Sequence, residues 1–119
     1  MNANHLISKI KAHPAYDRVG MILCHNGVVR GTSRDGRMVT GLRVAVDRQQ
    51  LAKVLANYRS RPGIVDIQVE IASDTDLSIG DDVMMLVVAG DIREKVIDAL
   101  TDTLHAIKTT VTAKTEFLA

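Results

Sequence analysis

Four arginines and two lysines are the residues of this chain best equipped to hold an anion. Arg30, Arg34, Arg37 and Arg43 crowd one short stretch, and Lys108 and Lys114 lie close together near the other end. Arginine presents a rigid planar fork that matches phosphate or carboxylate. Lysine presents a mobile charge or, once deprotonated, an amine nucleophile. If the last strand runs beside the hairpin expected around Arg30, then Arg30 and Lys114 line one pocket. The competing interpretation is a solvated rim of basic side chains.

Other reactive side chains make weaker constellations. Cys24 and His25 invite a metal reading, with His5, His13 and His105 as further ligands. Adjacent residues of a strand point to opposite faces, so Cys24 and His25 do not chelate one ion, and no C-x-x-C or H-x-x-x-H spacing occurs. No metal and no cofactor is therefore expected, and Cys24 reads as a buried structural thiol. The carboxylates Asp74, Asp76, Asp81 and Asp82 lack the loop pattern of an EF-hand and read as solvated turn residues.

The elements that must position these residues can be read from periodicity. Val19 to Gly31, VGMILCHNGVVRG, is apolar and punctuated by glycine, which argues for a strand with a bulge or close backbone approach. Thr32 to Arg37, with the turn signal Asp35-Gly36, predicts a hairpin returning through Met38 to Val46. A short helix is expected over Asn4 to Lys11, ended by Pro14 and of little structural weight. Asp47 to Arg59 reads as a helix with Leu51, Val54, Leu55 and Tyr58 on one side, capped by Asp47 with Gln50. Ile64 to Ala72 alternates, with Asp66, Gln68 and Glu70 on a wet face. After a polar connection, Val83 to Ala89 is apolar throughout. That marks a central strand covered on both faces, by a second layer or by another subunit. Asp91 reads as the N-cap of a helix running to Lys108, with Glu94 completing a capping box. β-Branched Thr109 to Thr112 then convert it to a last strand through Phe117. The order is helix, β, β, α, β, β, α, β: an α+β fold, a mainly antiparallel sheet with two main helices packed on it.

Composition bounds the function. The 119 residues make one domain, 1–119, with 46% hydrophobic and 24% charged residues and a net charge of +1. That balance gives no global attraction to nucleic acid or to an anionic membrane, and three aromatic residues are too few for a base-stacking platform. No apolar run approaches the length of a membrane helix, and the first residues lack a signal-peptide core. With one cysteine, a reducing, cytoplasmic location is expected.

Beside these readings stands a family resemblance. Gly27-Val28-Val29-Arg30-Gly31, a loop ending in Asp35-Gly36, and Gly41-Leu42 opening a strand that leads to a helix resemble the catalytic, large subunit of molybdopterin synthase. Leu77-Ser78-Ile79-Gly80-Asp81-Asp82 before an apolar strand is similar to that family's L-x-V-G-E segment. The helix Asp91 to Lys108 and the tail Val111 to Glu116 are similar to its last helix and its P-I-W-K-K-E ending. The resemblance covers the chain from Val19 to Glu116. It implies an α/β hammerhead fold, a homodimer, and a small ubiquitin-like subunit whose C-terminal Gly-Gly carries a thiocarboxylate. The implied reaction moves sulfur onto a cyclic pyranopterin monophosphate in molybdenum cofactor biosynthesis. Position by position, Arg30 matches the arginine of G-x-V-R at the active-site pocket, and Lys114 matches the first lysine of K-K-E, which meets the small subunit's C-terminus.

The sequence also departs from the pattern. The family carries a His-Arg pair at the start of its last long helix, where this chain has Asp91 and Ile92; Arg93 falls one place late and is the remaining candidate for substrate binding there. Thr115 stands for the second lysine of K-K-E and Ala113 for the preceding tryptophan. A helix N-terminus attracts anions, and Asp91 is expected to fill that position with its own carboxylate. The expected function is sulfur transfer as a divergent large subunit. The alternatives are a dimeric binding or scaffold module without pterin chemistry, and an unrelated regulatory domain of ferredoxin-like architecture.

Overall fold

The computed structural model describes residues 1–119, and its organising feature is a strand that cannot tolerate water. Strand β5 (Asp82–Gly90) is buried at every position from Met84 to Gly90. A fully apolar strand is stable only with a hydrogen-bonded neighbour on each edge and cover on each face. β1 (Met21–Val28) and β3 (Ile64–Ile71) supply the edges, both antiparallel, in the order β1-β5-β3. A second antiparallel sheet has the order β4-β2-β6, from β2 (Val39–Val46), the two-residue β4 (Leu77–Ser78) and β6 (Thr112–Leu118). The fold is α+β with antiparallel sheets, as the sequence predicts.

The predicted β1–β2 hairpin does not form. β1 pairs with β5 along its length, from Met21 opposite Gly90 to Val28 opposite Asp82, and β2 belongs to the other sheet. A single bridge between Thr32 and Met38 is what remains of the hairpin. The local turn signal loses to burial: pairing β1 with β2 alone would leave β5 with one bare edge. The bulge expected near Gly27 is present. Between Gly27, opposite Met84, and Val28, opposite Asp82, Val83 is left without a partner.

The helices cover both faces of the first sheet. On one face, α2 (Arg48–Arg59) and α3 (Arg93–Ala106) bury Leu51, Val54, Val96 and Ala99 against Ile67, Leu86 and Val88. On the other face, α1 (Ala3–Lys11) seats Leu6 and Ile10 on Met85, Val87 and Ala89. The N-terminal helix thus carries far more weight than its position suggests. The face of β3 expected to be wet is so only in part: Glu70 is exposed and Gln68 half-buried, but Asp66 is buried and accepts from its neighbours Ile67 N and Gln68 Nε2, with Arg59 Nε 3.3 Å away. Because α1 covers β5 within one chain, β5 needs no second subunit to bury it.

Helix ends follow local chemistry in one case and not in another. Asp47 caps α2, its carboxylate accepting from the Gln50 amide at 3.0 Å. Asp91 does not cap α3: the N-cap residue is Ile92, without a side-chain bond. The Asp91 backbone is tied to the Gly63 carbonyl at 2.9 Å, which holds it in the connection from β5, and its carboxylate accepts from the Ile92 amide at 2.7 Å. At Gly41, where β2 crosses β4, a side chain would strike the Leu77 carbonyl, so only glycine allows the pairing.

Thr103, inside α3, is fully buried and its hydroxyl has no hydrogen-bond partner. A stranded hydroxyl costs about 1–3 kcal/mol. Thr103→Val keeps the shape and removes the polar atom. It should raise the urea midpoint, by about 1 kcal/mol of stability at unchanged m-value; a fall in midpoint would show that the hydroxyl is satisfied in solution.

Candidate functional site

Residues of both sheets line a cleft with two lobes. The larger, of about 390 Å³, has an apolar floor that includes Leu42 and Val44 from β2 and Ile71, Val83 and Met84 from the first sheet. The bulge at Val83 turns this side chain into the lobe. The smaller lobe, of about 310 Å³, is polar. Val28, Arg34, Leu42, Lys108 and Lys114 line both lobes, so they form one continuous site.

Each cation reaches the cleft by a different route. Arg30 leaves β1 just past its last residue, lines the smaller lobe, and its Nε donates to the Thr32 carbonyl at 2.9 Å. Lys114 stands in β6 opposite Val44, on strands that pair from Val39 to Val46. Lys108, one of the basic residues singled out from the sequence but not placed in the Arg30–Lys114 pocket, lines both lobes as well. It sits in a π-helical turn, Ile107–Val111, that follows α3. Ile107 and Val111 of that turn are buried, and the hydroxyls of Thr109 and Thr110 donate back to the His105 and Ala106 carbonyls at 2.9 and 2.7 Å. The threonines thereby satisfy carbonyls the helix end leaves open. π-Turns of this kind are frequent at functional sites. The β-branched run that marked the end of the helix was the available signal for it.

The charges do not balance. Arg30, Arg34, Lys108 and Lys114 meet a single carboxylate, Glu116, whose Oε1 lies 4.0 Å from Lys114 Nζ. The other arginines of the cluster are engaged elsewhere: Arg37 with Asp35 at 3.0 Å, and Arg43 with Asp76 at 3.0 Å and the Asp74 carbonyl at 2.7 Å. The loop carboxylates likewise have internal partners, Asp81 at the Ser78 amide and Asp82 at the Asn26 side chain.

Arg93 is not in this cleft. It opens α3, whereas Lys108 follows the end of that helix, and 14 helical residues span roughly 20 Å. Its guanidinium is largely exposed and lies 3.8 Å from Glu94. Cys24, expected to be buried, is exposed, because β1 forms the edge of its sheet. Strand alternation separates it from His25, which lines the larger lobe.

Comparison with known proteins now bears directly on this architecture. Residues 2–110 match the family described as MoaE protein. The chain belongs to the MoaE family. Its fold is similar to molybdopterin synthase from Staphylococcus aureus, with TM-score 0.73 and 19% identity over 87% of this chain and 77% of that one. It is similar to molybdopterin cofactor biosynthesis protein E from Burkholderia multivorans, with TM-score 0.78 and 21% identity over 100% and 82%. A complex of subunits 1 and 2 of molybdopterin-converting factor from Helicobacter pylori matches at TM-score 0.71 and 15% identity, over 100% and 84%. No curated protein matches the sequence. At these identities the structures establish the shared MoaE-type fold. No helix is long and apolar enough to cross a membrane.

His25 carries a consequence for pH. Burial, and then the charge of Lys108, hold its imidazole below the usual value of 6.5. The unfolded chain therefore binds this proton more readily than the folded one. Stability is complete above pH 6.5 and declines as pH falls through the depressed folded value. His25→Gln should flatten this acid-side loss in denaturant melts between pH 7.5 and 5, as compared with wild type. A parallel decline in both proteins would show that His25 is not responsible.

Proposed function

We propose that this MoaE-family chain is the large-subunit-like component of a molybdopterin synthase in molybdenum cofactor biosynthesis. It takes sulfur from the C-terminal thiocarboxylate of a small ubiquitin-like Gly-Gly subunit and delivers it to a cyclic pyranopterin monophosphate. The observation that carries the reading is the two-lobed cleft, apolar in one lobe and cationic in the other. A planar heterocycle fits the apolar floor, and its phosphate fits the basic lobe where Arg30 stands. In this reading Lys108 and Lys114, which line both lobes, meet the thiocarboxylate where ring and phosphate join. Once the sulfur is bonded to the acceptor, water adds to the acyl carbon as its carbon–sulfur bond breaks, and the charge of the two lysines favours the carboxylate that forms. Family membership and the fold shared with the S. aureus synthase and the H. pylori two-subunit complex support the same reading. Unpaired Cys24 suits a cytoplasmic location.

The test is Lys114→Ala, with the fold checked by circular dichroism and both small-subunit binding and sulfur transfer measured. Transfer should fall roughly a hundredfold, the scale of losing a preorganised charge partner. Transfer equal to wild type would leave Lys114 a surface residue. A second reading, a binding module without pterin chemistry, is favoured by the placement of Arg93 far from the cleft and of Asp91 at the helix start. Wild type that binds the small subunit but transfers no sulfur would establish that reading instead.

A homodimer belongs to the same proposal. Its support is the resemblance and the exposure of large apolar side chains: Val28, Met38 and Ile79 are 51%, 65% and 54% exposed. Light scattering at micromolar concentration should give twice the chain mass, with an interface of roughly 1,600 Å². A monomer under those conditions would remove the dimer from the proposal.

A further inference from the structure

Arg34 reaches the cleft from a loop whose own hydrogen bonds hold its shape. The loop leaves β1 at Val28 and re-enters sheet structure at Val39. Within it, the Ser33 amide donates to the Arg37 carbonyl at 2.8 Å, and the Gly36 amide to the Ser33 carbonyl at 3.0 Å. The buried Ser33 hydroxyl accepts from the Arg37 amide at 3.0 Å and donates to the Asp35 carboxylate. The other Asp35 oxygen meets Arg37 Nε at 3.0 Å. Gly36, at φ +87°, takes the left-handed conformation that closes the turn. These bonds involve Ser33, Asp35, Gly36 and Arg37, and leave the Arg34 guanidinium without a carboxylate partner while it lines both lobes.

We propose that Arg34, fixed by the Ser33–Asp35–Arg37 turn, is a phosphate-gripping and positioning residue of the cleft. The proposal rests on reading the cleft as an anion site. It assigns to a loop arginine the work that a cation at the start of α3 cannot do from the far end of the sheet. Binding through a loop arginine costs the ordering of both loop and side chain, and a backbone already locked in place removes the first of these costs. Asp35 belongs to the lock. Its carboxyl is held below the usual carboxylate range, chiefly by the Ser33 hydroxyl and then by Arg37, with burial opposing. It is therefore ionised and able to accept both bonds at neutral pH.

The experiment titrates inorganic phosphate into the full chain by calorimetry, at low and at moderate salt. Arg34→Gln should weaken binding by about tenfold, the scale of one lost charge-assisted hydrogen bond. Arg34→Lys should recover part of this, since the charge returns without the fork. Asp35→Asn supplies the decisive sign. It removes a negative charge near the cleft, so electrostatics alone would tighten phosphate binding. If the turn positions Arg34, Asp35→Asn weakens binding instead. Phosphate binding by wild type that survives Arg34→Gln unchanged overturns the role of Arg34 and leaves the anion site standing. Tighter binding by Asp35→Asn overturns the turn as its support. Absence of phosphate binding by wild type overturns the anion site itself, and this inference with it.

Discussion

The demand that β5 be covered on every side governs the rest of the structure. Its buried stretch from Met84 to Gly90 needs two hydrogen-bonded edges and two apolar layers. Recruiting β1 as one edge draws it away from β2, and the chain must then travel from the end of β1 to a second sheet. That journey is the loop carrying Arg30 and Arg34. The same pairing ends in the bulge that turns Val83 inward. Cleft, bulge and basic loop are thus consequences of one burial requirement, met by β-pairings that are remote in sequence.

The cleft then holds charge that the fold does not neutralise. Four exposed cations facing one carboxylate repel each other, at a modest cost because water screens them. A protein selected only for stability would have paired them, as it pairs Arg59 with Asp66 and Arg61 with Asp102. Concentrating them in a chain of net charge +1 confines the positive potential to one place. An incoming anion would relieve the repulsion as well as form hydrogen bonds. The neighbouring apolar lobe restricts which anions benefit, since a bare ion gains nothing from Leu42, Val44 or Met84.

Most of the elements were legible in the sequence, because their signals are local. The Asp47 cap, the alternation of β3 and the apolar run of β5 each depend on residues a few positions apart. Three features were not legible, and each depends on partners distant in the chain. The hairpin signal at Asp35-Gly36 is real and makes a turn, yet β1 chooses β5, which lies more than fifty residues away. Helix α1 looked like a fraying terminus because nothing in its own residues shows that Met85, Val87 and Ala89 need cover. Asp91 has the right neighbours for a cap, but Gly63 holds its backbone outside the helix. In the cleft, the meeting of Arg30 with Lys114 was legible as a condition on strand adjacency. Lys108 was legible as a basic residue but not as a neighbour of that pocket, because a helical continuation would have carried it elsewhere and the wide turn before β6 brings it to the same lobes as Lys114.

The positions of Arg34 and Arg93 set the two ends of the molecule apart in how well each can hold an anion. The start of α3 is poorly suited to a second anion-binding group here. It follows the far end of β5, its first exposed side chain is Ile92, and the Asp91 carboxylate already occupies its approach. Free amides at such an end attract anions weakly, and an adjacent carboxylate opposes them. The loop between the sheets has the opposite character. It lies over the cleft by topology, and its internal bonds consume the one acid it carries. Removing charge from the helix start therefore need not abolish an anion site at the other end of the molecule. The requirement is only that some rigid segment deliver a guanidinium to the polar lobe. A glycine-closed turn, tied through Ser33 to both Asp35 and Arg37, meets that requirement without drawing on the packing of the core.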